Sequence, residues 1–352
     1  MPNDRDPGVS AIIPARNEAA VIARAVESLE RQPDIREIIV VDDQSEDQTP
    51  EILARLARQY SNLRMLRLEN LPSGWLGKPH ALAEGVKLAT GDWLLFTDAD
   101  TEHKPGSLAS LLDRAEAEHA GFVSISPGQH MKTWWERAVI PLVYVQLARL
   151  YRFEDVSDPR SPAAAANGQY LLIRRGIYES IGGHEAVRNA VLEDVELAKR
   201  VKAAGVQIWF LPGAAWAETR MYQAFGDMWR GWTKNLFLLY GRSSGRVVKA
   251  LFDLFLDWAP GALLIIFPLA LLLGPWQSWL IYATAAAIVV FWMQQWSYKR
   301  RLERLGFSRG LANYFLLGAP LFGLLLLNSL RTYRLGGAVE WKGRTYSVKE
   351  TS

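Results

Sequence analysis

The chain has 352 residues, which is enough for one large domain with an additional segment. Its 40 Lys and Arg against 37 Asp and Glu give a net charge of +3, so the composition predicts no nucleic acid partner. Cysteine is absent, which excludes disulfide bonds and thiolate catalysis. The hydrophobic content of 49% is ordinary, but long uncharged runs are concentrated in the last third of the chain.

Strand-like and helix-like segments alternate through the first half of the chain. The predicted strands are residues 9–13, 37–41, 63–68, 93–96 and 122–125. Helices are predicted between them at residues 18–31, 49–59, 79–89 and 105–118. This order predicts an α/β fold with a mostly parallel sheet flanked by helices, which binds ligands at the carboxyl ends of its strands.

Two aspartates, Asp98 and Asp100, follow the predicted strand 93–96. Alternation along an extended chain points both carboxylates to one side, where they repel each other unless a cation lies between them. Their oxygens suit Mg²⁺ or Mn²⁺, which commonly bridge to phosphate. A single Asp-x-Asp motif is more often a pair of solvated acids in a loop. The interpretation as a metal site therefore depends on whether further candidate residues lie at the ends of the other strands.

Further candidate residues follow the first two strands: Pro14 and the charged residues Arg16, Glu18, Asp42 and Asp43. A carboxylate at the second strand end can accept hydrogen bonds from a base N–H or a ribose hydroxyl. Lys78 lies at a predicted helix start after a glycine-containing loop, where a cation can neutralise phosphate. The alternative for Lys78 is an ordinary surface lysine.

The second half adds two candidate groups. Glu193 and Asp194 open a predicted helix, where acids also stabilise the helix N-terminus, so a structural role is the alternative. Arg230 and Trp232 precede the uncharged runs and can hold a diphosphate and stack on a sugar. The alternative for this aromatic segment is a belt at a membrane interface.

The uncharged runs predict an integral membrane protein. Residues 258–298 contain no Asp, Glu, Lys or Arg, and this length corresponds to about two bilayer crossings. A turn is predicted in its middle, at Gly274-Pro275-Trp276-Gln277. A third run at 310–328 is interrupted by Pro320. We therefore predict a catalytic domain at 1–250, membrane helices at about 254–273, 277–297 and 311–328 within 251–330, and a basic tail at 331–352.

The charge distribution predicts the orientation. Residues 1–6 have no apolar core, so we expect no signal peptide and a cytoplasmic catalytic domain in a multi-pass protein of the inner membrane. Three crossings would place the basic tail outside, against the positive-inside tendency, so we expect the third run to be re-entrant or an earlier segment to insert. The segment 134–153 fits an interfacial helix and an ordinary buried helix equally well.

Together and in this order, these motifs resemble the GT-A glycosyltransferases of family 2. The membrane-bound branch with ceramide glucosyltransferase, cellulose synthase and carotenoid or hopanoid glycosyltransferases is the most similar, from about residue 9 to 235. The membrane helices and the tail, Trp341-Lys342-Gly343-Arg344-Thr345-Tyr346, are also similar. Many relatives carry Gln-x-x-Arg-Trp, whereas this chain has Met228-Trp229-Arg230-Gly231-Trp232, with Arg one position early. This departure argues against a processive enzyme and favours the carotenoid branch.

The resemblance implies roles for the candidate residues. It implies that Asp42 or Asp43 binds the nucleotide base, that Asp98 contacts the ribose or diphosphate, that Asp100 ligates Mg²⁺ or Mn²⁺ and that Asp194 is the general base. Asp98 is a second candidate metal ligand. The other donor-side candidates are Pro14, Arg16, Glu18, Lys78, Arg230 and Trp232. The acceptor-side candidates are Gln169, Glu193 and Trp232.

The predicted function is inverting transfer of a sugar from a nucleotide-diphosphate donor, most simply a UDP-sugar, to a lipid or isoprenoid acceptor. One alternative is a nucleotidyltransferase, but that class carries a glycine-rich loop near its N-terminus, and residues 14–18 contain no glycine. The other alternative is a non-enzymatic membrane scaffold or a transporter component. The absence of ionisable residues from the apolar runs argues against a transport pathway.

Overall fold

The computed structural model describes residues 8–274 and 277–347. Residues 1–6, for which no signal peptide is predicted, lie outside these ranges, as do Pro275 and Trp276 of the predicted turn and the end of the tail. The chain forms two compact units. The first comprises residues 1–130, 151–221 and 340–352, and the second comprises 131–150 and 222–339. This division differs from the predicted boundaries at 250 and 330, because the helices at 134–150 and 225–239 join the C-terminal helices and the tail joins the first unit.

The strands are β1 Val9–Ala15, β2 Ile35–Asp42, β3 Leu63–Arg67, β4 Trp93–Thr97, β5 Thr101–His103, β6 Phe122–Ser126, β7 Gly128–Gln129, β8 Tyr170–Arg174, β9 Ile208–Pro212, β10 Ala217–Thr219, β11 Ala338–Trp341 and β12 Arg344–Ser347. The helices are α1 Ile22–Glu30, α2 Thr49–Gln59, α3 Gly77–Leu88, α4 Ser107–Ala117, α5 Trp134–Leu150, α6 Phe153–Ser157, α7 Arg175–Ser180, α8 Glu193–Ala203, α9 Phe225–Leu239, α10 Ser244–Leu273, α11 Ser278–Arg304 and α12 Phe315–Arg334. Short 3₁₀ segments lie at Gly183–Val187 and Arg309–Tyr314.

The first unit is organised around a seven-stranded sheet with the order β3-β2-β1-β4-β8-β6-β9. Strands β3, β2, β1 and β4 are parallel, and β8 runs antiparallel to both β4 and β6. A second sheet has the order β5-β10-β7. The predicted mostly parallel α/β sheet is therefore confirmed, and its parallel half brings the ends of β1, β2 and β4 to one edge.

Successive side chains along each strand point to opposite faces of the sheet, and a hydrophobic core covers each face. Val9, Ala11 and Ile13 of β1 pack into one hydrophobic core, and Ile12 packs into the other. Strand β2 divides in the same way, with Ile38 in the first core. The near-continuous apolar runs of these strands thus follow from burial between two helical layers.

The first helix begins later than predicted. A helix was predicted from residue 18, but α1 starts at Ile22. The backbone N–H groups of Asn17, Glu18 and Ala19 donate instead to side chains of the loop that follows β2. These long-range hydrogen bonds hold residues 17–19 against the second strand end, which keeps Glu18 at the edge of the sheet.

The second unit consists of helices α5, α9, α10, α11 and α12. Helix α12 packs against α5, α9 and α10. A Cβ atom at Gly318 would lie 2.1 Å from the carbonyl oxygen of Ala138, so only glycine allows α12 to approach α5 so closely. The middle of α5 is buried within this unit, which favours the buried-helix alternative for the segment 134–153.

Two segments in the described part of the chain are long and apolar enough to cross a membrane, Ser244–Leu273 and Arg309–Arg334. The first is 6% buried in its most apolar stretch and the second 39%. Helix α11, which contains the predicted middle span, is less apolar because Trp, Tyr and Gln residues interrupt its aliphatic run. Both α10 and α11 expose large apolar side chains, a surface that water-soluble proteins rarely present and that favours membrane association.

Candidate active site

The lysine at the start of α3 joins two acidic segments of the first unit. Lys78 Nζ lies 2.8 Å from Asp98 Oδ1 and 2.9 Å from Glu193 Oε1. Burial by itself lowers the pKa of Lys78, but the carboxylates of Asp98, Glu193 and Asp194 outweigh it and raise the pKa well above its ordinary value. Lys78 is therefore a permanent cation inside an acidic cluster and not an ordinary surface lysine.

Asp194 is held beside this lysine by backbone hydrogen bonds. Its Oδ2 accepts from the N–H of Gly168 at 2.7 Å, and its Oδ1 accepts from the N–H of Val195 at 2.8 Å. Burial and the neighbouring Glu193 carboxylate raise the pKa of Asp194 to about 7, and Lys78 offsets part of this rise. A fixed carboxylate with a pKa close to neutral suits a general base.

Gly168 and Gln169 connect the cluster to the end of β4. A Cβ atom at Gly168 would lie 3.0 Å from Lys78 Nζ and 3.4 Å from Asp194 Oδ2, so glycine leaves room for both groups. Gln169 is 4% exposed, and its Oε1 accepts a hydrogen bond from Asn167 at 3.2 Å. The side chain of Gln169 is thus engaged within the protein, and its acceptor role stays a prediction.

Asp98 and Asp100 lie in a turn and not on an extended strand. Strand β4 ends at Thr97, and the N–H of Thr101 donates to the carbonyl of Asp98 at 3.2 Å. The expectation of strand alternation was therefore wrong, because the chain turns at once into β5 of the second sheet. The two carboxylates are nevertheless close enough for Asp98 to raise the pKa of Asp100.

Asp100 has the properties of a cation ligand. Burial, followed by the charges of Asp98 and Glu18, raises its pKa to about 7. The Thr219 hydroxyl lies nearby, yet the buried Oδ1 of Asp100 has no hydrogen bond of normal geometry among the described residues. No group of three or more His, Cys, Asp or Glu residues that could hold a metal ion is found in that part of the chain. The residues fit a cation held by one or two carboxylates and completed by phosphate oxygens.

The two acids at the end of β2 differ in their environments. Asp42 is fully buried, and it accepts from the N–H of Ser45 at 2.9 Å and pairs with Arg67 at 3.3 Å. Asp43 is 3% exposed, and both of its carboxylate oxygens accept from the guanidinium of Arg344 in the C-terminal hairpin. Asp42 therefore supports the loop through Oδ1 while its Oδ2 accepts no hydrogen bond among the described residues, and contact of Asp42 or Asp43 with a base stays a prediction.

The turn after β1 is held by the same hairpin. Arg16 donates to the carbonyls of Asp43 at 2.6 Å and Lys342 at 2.9 Å, which indicates a structural role. Glu18 pairs with Lys342 at 2.9 Å. Burial raises the pKa of Glu18, and the Lys342 ammonium offsets part of the rise. Pro14 lies in β1 opposite Val41, so it shapes the strand end through its backbone.

Arg230 and Trp232 belong to α9 of the second unit. Arg230 is exposed and pairs with Asp227 at 2.7 Å on the same helix. Trp232 is 4% exposed and packs edge-on against Tyr222, with 6.3 Å between the ring centroids. Their donor and acceptor roles stay predictions.

Comparisons with known proteins agree with this geometry. The sequence profile of glycosyl transferase family 2 matches residues 10–182. The 4,4'-diaponeurosporenoate glycosyltransferase of Staphylococcus aureus is 26% identical over 349 residues, which cover 97% of this chain and 89% of that protein. Residues 10–182 therefore form a glycosyl transferase family 2 domain, and the chain is a glycosyltransferase. Among solved structures, a mannosyltransferase from Pyrobaculum calidifontis in complex with GDP-Man and Mn²⁺ has a TM-score of 0.54 and 20% identity over 90% of this chain and 86% of that one. This likeness supports the GT-A fold.

Several residues of the candidate site were not predicted from sequence. They are Gly168, which admits Lys78 and Asp194, and the tail residues Lys342 and Arg344, which pair with Glu18 and Asp43. For the tail, the sequence offered one signal, because its basic residues match the acids at the strand ends. In the sequence analysis, the basic charge of the tail was interpreted only through the positive-inside tendency.

Proposed function

We propose that this glycosyltransferase is bound to the membrane and moves one sugar, with inversion, from a nucleotide-diphosphate donor to a lipid or isoprenoid acceptor. The observation that carries the proposal is the Asp194 carboxylate, which two backbone amides fix beside Lys78 with a pKa raised to about 7. A base for a single displacement must be in its charged form near neutral pH and fixed within hydrogen-bond reach of the acceptor.

In this mechanism Asp194 accepts the proton of the acceptor hydroxyl as its oxygen attacks the anomeric carbon. Glu193 keeps Lys78 in place, and Lys78 stabilises the charged form of Asp194. An acceptor with a carboxylate has no proton to lose near pH 7, and the protonated form of Asp194, whose pKa is raised to about 7, would then donate a hydrogen bond to it. The bond between the anomeric carbon and the diphosphate oxygen breaks, and the nucleoside diphosphate leaves.

Asp100 and Asp98 would hold a Mg²⁺ or Mn²⁺ ion together with donor oxygens. The buried and unsatisfied Oδ1 of Asp100 supports this assignment, and the structural neighbour from Pyrobaculum calidifontis binds Mn²⁺. A bound ion would offset the charge that develops on the leaving diphosphate. Asp98, paired with Lys78, would link this ion to the general base Asp194 on the other side of the site.

Two observations support a lipid acceptor. Helices α10 and α11 expose an apolar surface that suits a bilayer, where an apolar acceptor would be concentrated. The relative from Staphylococcus aureus is named for a carotenoid acceptor, 4,4'-diaponeurosporenoate. We therefore propose an isoprenoid or a similar lipid that reaches the site from the membrane.

We further propose a multi-pass inner membrane protein with both the catalytic domain and the tail in the cytoplasm. The tail contacts Glu18 and Asp43 of the catalytic domain, so the chain between them must cross the membrane an even number of times. Helix α10 and the less apolar helix α11 would provide two crossings, and α12, which is partly buried and contains Pro320, would be re-entrant although its segment is apolar enough to span.

A reporter fused after Ser352 should therefore be cytoplasmic. The comparison is a reporter inserted after Gly274, between α10 and α11, which should be external. Activity of alkaline phosphatase, which needs the external side, and fluorescence of a cytoplasmic reporter measure the two positions. An external reporter after Ser352 would contradict this topology.

The function itself is tested with purified protein, labelled UDP-sugars and GDP-mannose, and a total lipid extract. We expect one lipid to gain the mass of one sugar, with release of a nucleoside diphosphate and inversion at the anomeric carbon. Formation of a sugar nucleotide from a nucleoside triphosphate and a sugar phosphate would instead indicate a nucleotidyltransferase. A lack of turnover with every donor would contradict the proposal.

A further inference from the structure

The C-terminal hairpin places two cations on acids of the candidate donor site. Its strands β11 and β12 are joined by Lys342 and Gly343, whose φ angles of 49° and 76° fit a two-residue type I′ turn. Arg344 then forms a two-pronged ion pair with Asp43, and the Lys342 ammonium reaches Glu18 at 2.9 Å. Arg16 fixes the tip by donating to the Lys342 carbonyl at 2.9 Å.

We propose that this hairpin, residues 338–347, is part of the donor site. Arg344 would hold the Asp43 carboxylate in position for the nucleotide base, and Lys342 would provide positive charge beside the bound diphosphate. This inference rests on the proposed function. Arg344 would act as a positioning residue and Lys342 as a donor-binding residue. The general base would still be Asp194, and the metal ligand would still be Asp100.

The geometry of Asp43 is compatible with a shared role. An ionised carboxylate has about four acceptor positions on its two oxygens, and the guanidinium of Arg344 occupies one on each. Capacity remains for a base N–H. Without Arg344, Asp43 would be a buried carboxylate without this cation, and its orientation would no longer be fixed.

The charges indicate that the hairpin lines the donor site and does not block it by occupying the position of the donor. Glu18, Asp43, Asp98 and Asp100 gather at this edge, and an anionic diphosphate approaches such a group unfavourably. Lys342 acts electrostatically on both Glu18 and Asp100, so a diphosphate that binds a cation at Asp100 would lie within its field. A segment that imitates an anionic donor would be acidic, whereas this hairpin presents Lys342 and Arg344.

Substitution at Arg344 tests the role through the donor. In Arg344→Ala we expect the donor KM to rise about 10- to 100-fold, the scale for loss of a hydrogen-bonded charged partner, with kcat changed much less. Arg344→Lys should restore part of the affinity, because it keeps the charge but loses the planar fork. Arg160→Ala, which removes an exposed arginine that pairs with Asp158 and that has no place in the candidate site, is the matched control and should leave the KM unchanged. An unchanged or lower KM in Arg344→Ala overturns the inference.

A second measurement uses the unmodified protein and does not depend on activity or on folding of a variant. Trypsin cleaves after Lys342 and Arg344, and mass spectrometry of the released peptides follows each cut. Saturating UDP or GDP with Mn²⁺, with binding checked by calorimetry, should slow both cuts. If the nucleotide binds but trypsin cleaves the hairpin at an unchanged rate, this inference alone is overturned. Faster cleavage, as expected if the nucleotide displaces a hairpin that blocks the site, overturns it as well. A wild-type protein that binds neither nucleotide would count against the proposed function as well.

Discussion

Replacement of Asp194 by Asn should lower sugar transfer to a hydroxyl acceptor by about 10²-fold or more, the usual scale for loss of a general base. The amide keeps the size of the carboxylate and can still accept one of the hydrogen bonds from Gly168 and Val195. Donor affinity should therefore change little. Initial rates and nucleotide binding by calorimetry measure the two effects separately.

Two other acids of α8 are controls for this substitution. Glu196→Gln removes a charge from the same first turn, but the partly exposed Glu196 pairs with Lys199 at 2.7 Å and not with Lys78, so activity should be unaffected. Glu193→Gln should have an intermediate effect, because Lys78 keeps its pair with Asp98. An inactive Glu193→Gln together with an active Asp194→Asn would show that Glu193 is the base.

The same base should determine the acidic limb of the pH profile. Burial and Glu193 raise the pKa of Asp194 to about 7, so the carboxylate is protonated and inactive below this pH. The value of kcat/KM for a hydroxyl acceptor should rise as the pH increases through about 7 and level off above it. The acidic limb should be absent from the profile of Asp194→Asn. If it persists unchanged in this variant, another group causes it.

Replacement of Asp100 by Asn should lower transfer by about 10³-fold, since loss of metal stabilisation of a leaving diphosphate costs several kcal/mol. The change keeps the shape of the side chain but removes the charge that a divalent cation requires. Mn²⁺-dependent nucleotide binding, measured by calorimetry, should disappear together with activity, which separates metal loss from a defect in the chemical step.

The neighbouring Glu102 provides the control, because it is an exposed acid of β5 that pairs with Arg24 at 2.9 Å. Glu102→Gln should leave both metal-dependent binding and transfer unchanged. Full activity of the wild-type protein in excess chelator would contradict a metal role for Asp100.

The local pattern of the sequence determined most of the first unit. Apolar runs with strand or helix periodicity predicted the parallel sheet, and the helix Thr49–Gln59 has the predicted bounds. Polar residues at the ends of β1, β2 and β4 predicted where the site lies, since parallel strands bring their carboxyl ends to one edge. Periodicity and strand order depend on neighbours in the sequence, so these features can be predicted without a structure.

Only the tertiary structure decided how these residues combine. Lys78 bridges Asp98 and Glu193, and the carboxylate of Asp194 rests on the amide of Gly168, a residue with no sequence signal. Arg344 pairs with Asp43 across 301 positions of the chain. Charge complementarity between such distant segments has no periodicity and no local motif. The ion pairs form only because folding brings the tail to the strand ends and buries the acids where a cation must compensate them.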